Sequence, residues 1–186
     1  LAGDPHSCII RGRKLPDAPA VHRRLYKPDK AKGDPPSYAE QACRWVMFDV
    51  DKLPLDLIGC TPETLPPRLP RDVVKGCLPP AFQGVTYYWQ LSSSHGRPGK
   101  VKAGVVAAPA VSMHLWFWLD RPVGDAELQK YVGQLNYELR MQLGILSTKD
   151  VLDSALYIPV QPHFTADPVL VDGAEALPYA RRGLDV

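Results

Sequence analysis

The chain has 186 residues, enough for one core-forming domain or one domain with a small appendage. With 45% hydrophobic and 23% charged residues it has the composition of a globular protein, and no window approaches the about 18 apolar residues of a membrane-spanning helix. A net charge of +2 neither demands nor excludes a nucleic-acid partner, because a basic patch can sit inside a balanced total.

Proline is abundant, 20 residues, so short elements and many fixed loops are expected. The cysteines Cys8, Cys43, Cys60 and Cys77 contain no C-x-x-C pair, which argues against a zinc ribbon or knuckle. In a chain that is not cysteine-dense this usage implies reduced thiols and a cytoplasmic setting. No signal peptide is visible. The chain begins at Leu1 rather than Met and reads as a piece of something longer.

Residues 1–41 form a polar, proline-rich segment with Arg11, Arg13, Lys14, Arg23, Arg24, Lys27, Lys30 and Lys32. It is either a solvated arm or a surface for a nucleic-acid backbone. CIIRG reads as a short strand and SYAEQA as a helical turn. Residues 42–186 then carry one core. The apolar run at 44–50 is the first clear strand. A loop over 52–82 follows, with DVVKGCL as a short helix. VTYYWQL, residues 85–91, is β-branched and aromatic and predicts a second strand. SSSHGRPGKVKAG is a small-residue, basic loop. VSMHLWFWL, residues 111–119, is a third strand with both faces apolar, hence central and buried, and Asp120 ends it. From Asp125 the spacing of Leu128, Val132, Leu135 and Leu139 predicts a helix, with Asp125 as N-cap and Gly144 as C-cap. ALYIPV reads as the last strand. The expected fold class is α+β with a mainly antiparallel sheet.

The chemistry begins with RWVMFDVDKL. Residues i and i+2 of a strand share a face, so Asp49 and Asp51 point the same way, roughly 7 Å apart. Two like charges beside an apolar core need a positive partner, and a divalent metal ion is the simplest. The second strand runs into Ser92-Ser93-Ser94-His95, followed by Arg97, Lys100 and Lys102. The third runs into Asp120. Carboxylates suit Mg²⁺ or Mn²⁺, and hydroxyl, imidazole and basic groups suit phosphates. Together they suit phosphoryl transfer, which depends on positioning and charge neutralisation.

In this order FDVD, the S-x-H of Ser93-Ser94-His95 and WFWLD resemble the three motifs of the archaeo-eukaryotic primase superfamily, which includes the primase-polymerases of plasmids, phages and other mobile elements. ALYIPVQPHFTADPV resembles the segment that follows the third motif. The resemblance covers roughly residues 44–170. It implies a modified RNA-recognition-like sheet packed with an additional α/β unit, and template-directed addition of nucleotides by two-metal chemistry with release of pyrophosphate. It implies Asp49, Asp51 and Asp120 as catalytic metal ligands for Mg²⁺ or Mn²⁺. Ser93 and His95, with Arg97 and Lys100, would bind the nucleotide. The partners it implies are a single-stranded DNA template, nucleoside triphosphates and a fused or associated helicase or accessory domain, with no membrane.

Other readings compete. A haloacid-dehalogenase-type phosphatase wants Thr two residues after the second aspartate, where this chain has Leu53. A relaxase reading of Tyr87 and Tyr88 wants an H-x-H pair, which does not occur. A DxD glycosyltransferase and a non-catalytic single-strand-binding replication module remain. His114 reads as a structural or supporting histidine, Trp116 and Trp118 as core aromatics, and Gln161 and His163 as either pocket lining or a polar loop.

Overall fold

In a computed structural model, residues 7–20, 22–93, 95, 110–144, 150–167 and 179–186 are described. The expected α+β class holds. The elements are β1 (Arg13–Lys14), β2 (Tyr38–Ala39), β3 (Cys43–Pro54), α1 (Arg68–Cys77), β4 (Tyr87–Leu91), β5 (Ala110–Val123), α2 (Asp125–Leu143) and β6 (Arg182–Asp185). Strands β3, β5, β4 and β6 form one sheet in that order, and every neighbouring pair is antiparallel. The pair β1–β2 is separate.

Alternation along the strands separates two faces. Val46, Phe48 and Val50 of β3 share a face with Met113, Leu115 and Phe117 of β5 and with Tyr87, Trp89 and Leu91 of β4. Both helices cover this face. Leu69, Val73, Val74 and Cys77 of α1 and Leu128, Val132, Leu135 and Leu139 of α2 belong to the same core. The helix stripe expected from the spacing is therefore buried as a unit. The other face carries Trp45, Met47 and Asp49, then Ser112, His114, Trp116 and Trp118, then Tyr88 and Gln90, then Arg182 and Leu184.

Several local expectations change. SYAEQA is not a helical turn, because Tyr38 and Ala39 pair with Lys14 and Arg13. β5 does not stop at Asp120 but runs on to Val123, which pairs with Cys43. ALYIPV is not a strand. Ser154–Leu156 form a 3₁₀ turn capped by the Asp153 side chain, and Pro159 cannot donate to a ladder. The last strand is β6, where Gly183 leaves room for the Trp89 ring; a Cβ there would lie 2.9 Å from that ring. Gly124, not Asp125, is the N-cap of α2, while Gly144 closes it in the left-handed conformation as expected. Trp116 is buried, but Trp118 is 75% exposed, so only one of the two is a core aromatic.

Asp125 has another task. Its carboxylate accepts from Nε of Arg11, which is 0% exposed, donates to the Trp45 carbonyl and, at 2.7 Å, to the Val123 carbonyl, and lies over the Trp45 ring. One residue of the basic segment is thus a core rivet rather than part of a nucleic-acid surface. Arg23 is engaged by Asp29 and Asp34. Cys8 is exposed, and Cys43, Cys60 and Cys77 are buried. Among the described residues no helix is long and apolar enough to cross a membrane.

Candidate functional site

Asp49 sits mid-strand in β3, directly opposite His114 of β5, whose Nε2 is 3.6 Å from Asp49 Oδ1. Beyond Val50 the register slips, and Lys52 adopts φ 54°, a bulge in the left-handed region. Bulges re-aim side chains and recur beside functional sites. Ser112 holds this one: its Oγ accepts from the Lys52 amide at 3.0 Å and donates to Asp51 Oδ1 at 3.3 Å. Asp51 is exposed, and Lys52 Nζ lies 3.8 Å from it.

A third carboxylate arrives from outside the sheet. Leu152 bridges Val50, the Asp51 amide donates to the Val151 carbonyl, and the Asp153 amide donates to the Asp49 carbonyl at 3.0 Å. The fully buried Asn136 of α2 clamps this segment. Its Oδ1 accepts from the amides of Val151 (3.1 Å) and Leu152 (2.9 Å), and its Nδ2 donates to the Leu152 carbonyl (2.8 Å). Tyr157 adds a hydrogen bond to the Met47 carbonyl.

The electrostatics follow. Burial, then the Asp153 and Asp51 charges, push the Asp49 carboxyl up to about 7. Burial pulls the His114 imidazole down to about 4, so it is neutral at pH 7 and does not offset the carboxylates. Asp49 is therefore a poorly compensated carboxyl, as the DxD pattern implies. Among the described residues, no group of three His, Cys, Asp or Glu side chains is placed to hold a metal ion.

The expected site residues fall into three groups. Asp49 and Asp51 come together with Ser112 and His114. His95 also reaches this edge of the sheet, where the Ser112 amide points at its Nδ1 (3.5 Å) and its Nε2 is 3.3 Å from the Tyr179 hydroxyl. Burial and then Arg181 hold His95 down to about 4, a buried neutral ring with both nitrogens engaged. Ser93 is exposed. Asp120 is not brought to Asp49. It lies six residues along β5 from His114, about 20 Å away along the strand, at an exposed position toward the opposite edge. Its carbonyl accepts from Arg44. Antiparallel pairing is the reason: the C-terminal ends of β3 and β5 lie at opposite edges of the sheet. Arg97 and Lys100 lie outside the described residues.

Ser112-Met113-His114 repeats the S-x-H spacing within β5 itself, with both side chains facing the aspartates. That spacing was present in VSMHLW, masked by the apolar run around it. Asp153 and Asn136 carried no local signal. Gln90 pairs across from His114, and His163 lies over the same face, its ring edge-on to Trp45 and Trp116. No family model, no curated protein and no solved structure matches the chain.

Proposed function

We propose that this chain is the catalytic core of a template-directed nucleotidyltransferase of the primase-polymerase kind, acting in replication of a mobile element or similar system. The observation that carries the reading is the facing pair of Asp49-x-Asp51 and Ser112-x-His114 across β3 and β5, on the sheet face that the helices leave free. The order strand, helix, two strands, helix, strand, with both helices on one face, supports an RNA-recognition-like sheet. It is modified in that β6 joins beside β4.

The residues fit a divalent ion of limited protein ligation. Mg²⁺ is commonly held by one or two carboxylates and completed by water and substrate phosphates rather than by a protein cage. Asp49 and Asp51 are those carboxylates, and Asp153 adds negative potential from the flank. When bound, Mg²⁺ or Mn²⁺ would neutralise phosphate charge and favour ionisation of the attacking hydroxyl. The protein residues position the substrate. Ser112 fixes the bulge and orients Asp51. Neutral His114 offers a ring nitrogen to the triphosphate beside Asp49. A 3′-hydroxyl attacks the α-phosphate and pyrophosphate leaves. In this reading Ser112 and His114 carry the S-x-H role, while His95 buttresses Ser112.

The test is incorporation of labelled nucleotides on a primed single-stranded template with Mg²⁺ or Mn²⁺, wild type beside Asp49→Ala/Asp51→Ala. Extension by wild type alone supports the proposal; equal extension by the folded variant refutes it. A second reading, a non-catalytic single-strand-binding module, draws on Trp118, which is exposed on the same face and paired with Trp45, as a base-stacking platform does. That module would bind single strands with a salt-dependent affinity and no need of the aspartates.

A further inference from the structure

Next to Asp49, on the same sheet face, lies a patch with five buried side-chain atoms that have no hydrogen-bond partner in the protein. These are Gln90 Oε1, His114 Nδ1, Trp116 Nε1 and both ring nitrogens of His163. Gln90 is 3% exposed, His163 2% and Trp116 7%. They are contiguous. Gln90 pairs across from His114, His163 packs edge-on to Trp116 at 5.9 Å, and the Gln90 amide donates to the Ala166 carbonyl, three residues beyond His163.

Buried polar groups are nearly always hydrogen-bonded, so five orphans on one patch mark a place built for something else. The kinds of atom narrow the choice. Trp116 Nε1 only donates and Gln90 Oε1 only accepts, while an imidazole nitrogen, such as the two of His163 and Nδ1 of His114, can do either. An anion would want donors alone, and a cation acceptors alone. A neutral ligand with donors and acceptors around flat rings satisfies the set. His114 lies one strand spacing from Asp49 and Gln90 two, about 10 Å, so a nucleotide with its α-phosphate at Asp49 would lay its sugar and base along this patch.

We propose that Gln90, Trp116 and His163, with the Nδ1 side of His114, bind the nucleoside portion, sugar and base, of the substrate triphosphate. This rests on the triphosphate reading of Asp49 and Asp51. His163→Phe tests it, because phenylalanine keeps an aromatic ring against Trp45 and Trp116 and the backbone pairing with Ile9, and replaces both nitrogens with carbon at the cost of one added ring atom.

The experiment is calorimetric titration of wild type and variant, in Mg²⁺, with ATP, dATP, CTP and inorganic tripolyphosphate, together with thermal melts. The expected result is that wild type binds ATP at least about tenfold more tightly than tripolyphosphate. His163→Phe should abolish that advantage, leave tripolyphosphate binding unchanged and melt no lower than wild type. An ATP–dATP gap that the variant closes assigns the patch to the ribose, and an ATP–CTP gap that it closes assigns it to the base; either supports the proposal. Equal binding of ATP and tripolyphosphate by wild type overturns it while leaving the triphosphate site standing. So does a variant that melts lower yet binds ATP as wild type does, since the ring nitrogens would then serve the fold. Binding of neither ligand by wild type overturns the triphosphate reading itself. Should His163→Phe fail to fold, Gln90→Leu carries the same expectations for ATP and tripolyphosphate.

Discussion

Asp49 and His114 face each other across β3 and β5 without forming an ion pair: the carboxyl titrates at about 7 and the imidazole at about 4. At pH 7 the pair is a half-charged acid beside a neutral ring. On the proposed reading the fold carries this cost because a bound cation would complete the site.

Asp49→Asn should therefore stabilise the metal-free protein while abolishing incorporation. The folded carboxyl titrates above its ordinary value of 3.8, so the folded state binds the proton more tightly than the unfolded state. The penalty grows as pH rises from about 4 and is complete above about 7. The variant should gain on the order of 2 kcal/mol in urea unfolding at pH 8, and nothing below about pH 4. For the same reason Mg²⁺ affinity of the wild type should rise with pH up to about 7 and then level off, because the ion displaces the proton. A flat Mg²⁺ profile between pH 5.5 and 8 would count against the assignment.

Alanine at His114 should lower incorporation by about 10²-fold or more without unfolding the protein. His95→Ala should act mainly on stability, since that ring is buried between the Ser112 amide and Tyr179. Asp120→Asn should leave turnover unchanged, given its place at the other edge of the sheet. Steady-state kinetics on the three variants tests the proposed placement of the nucleotide site.

Lys52 holds φ 54° and donates its amide to Ser112. Lys52→Gly should relieve about 1 kcal/mol of backbone strain, offset in part by the freedom glycine gains in the unfolded chain. Lys52→Pro removes the amide donor and cannot adopt that φ, so it should collapse the bulge and the Asp51 geometry. Chemical denaturation and Mg²⁺ titration read both effects.

Asn136→Leu removes the clamp on Val151 and Leu152 and leaves their backbone groups unpaired inside the protein. A loss of about 3 kcal/mol is expected, with faster amide exchange confined first to residues 151–153. Uniform exchange across the sheet would contradict the local role.

Arg11→Met leaves Asp125 buried without its cation and three acceptors short of a donor. It should cost about 3–5 kcal/mol, whereas the double variant Arg11→Met/Asp125→Leu should recover part of that loss. A basic side chain that merely contacted nucleic acid would show neither effect.

Local chemistry made much of this legible. The apolar runs in RWVMFDVD and VSMHLWFWL marked two strands, and the Leu128–Leu139 spacing marked the long helix, because run length and side-chain periodicity are short-range properties. The paired aspartates were equally local. The 3₁₀ turn at Ser154–Leu156 was not, since an apolar run of six residues fits a strand or a buried turn alike until Pro159 and the Asp153 cap are weighed.

What the sequence alone determined, then, is where the three long strands of the sheet and the two helices lie, and that Asp49 and Asp51 share a face. Which groups face those aspartates was decided only by tertiary structure. Motif order along the chain suggested that three strand ends would meet, but β3 and β5 run antiparallel, so Asp120 is carried to the far edge. β4 runs parallel to β3, and so delivers His95 to the near one. Register then sets Ser112 and His114 against Asp51 and Asp49, and a buried asparagine on α2 brings Asp153 alongside. Strand direction and register are long-range pairings, and no local window of residues encodes them.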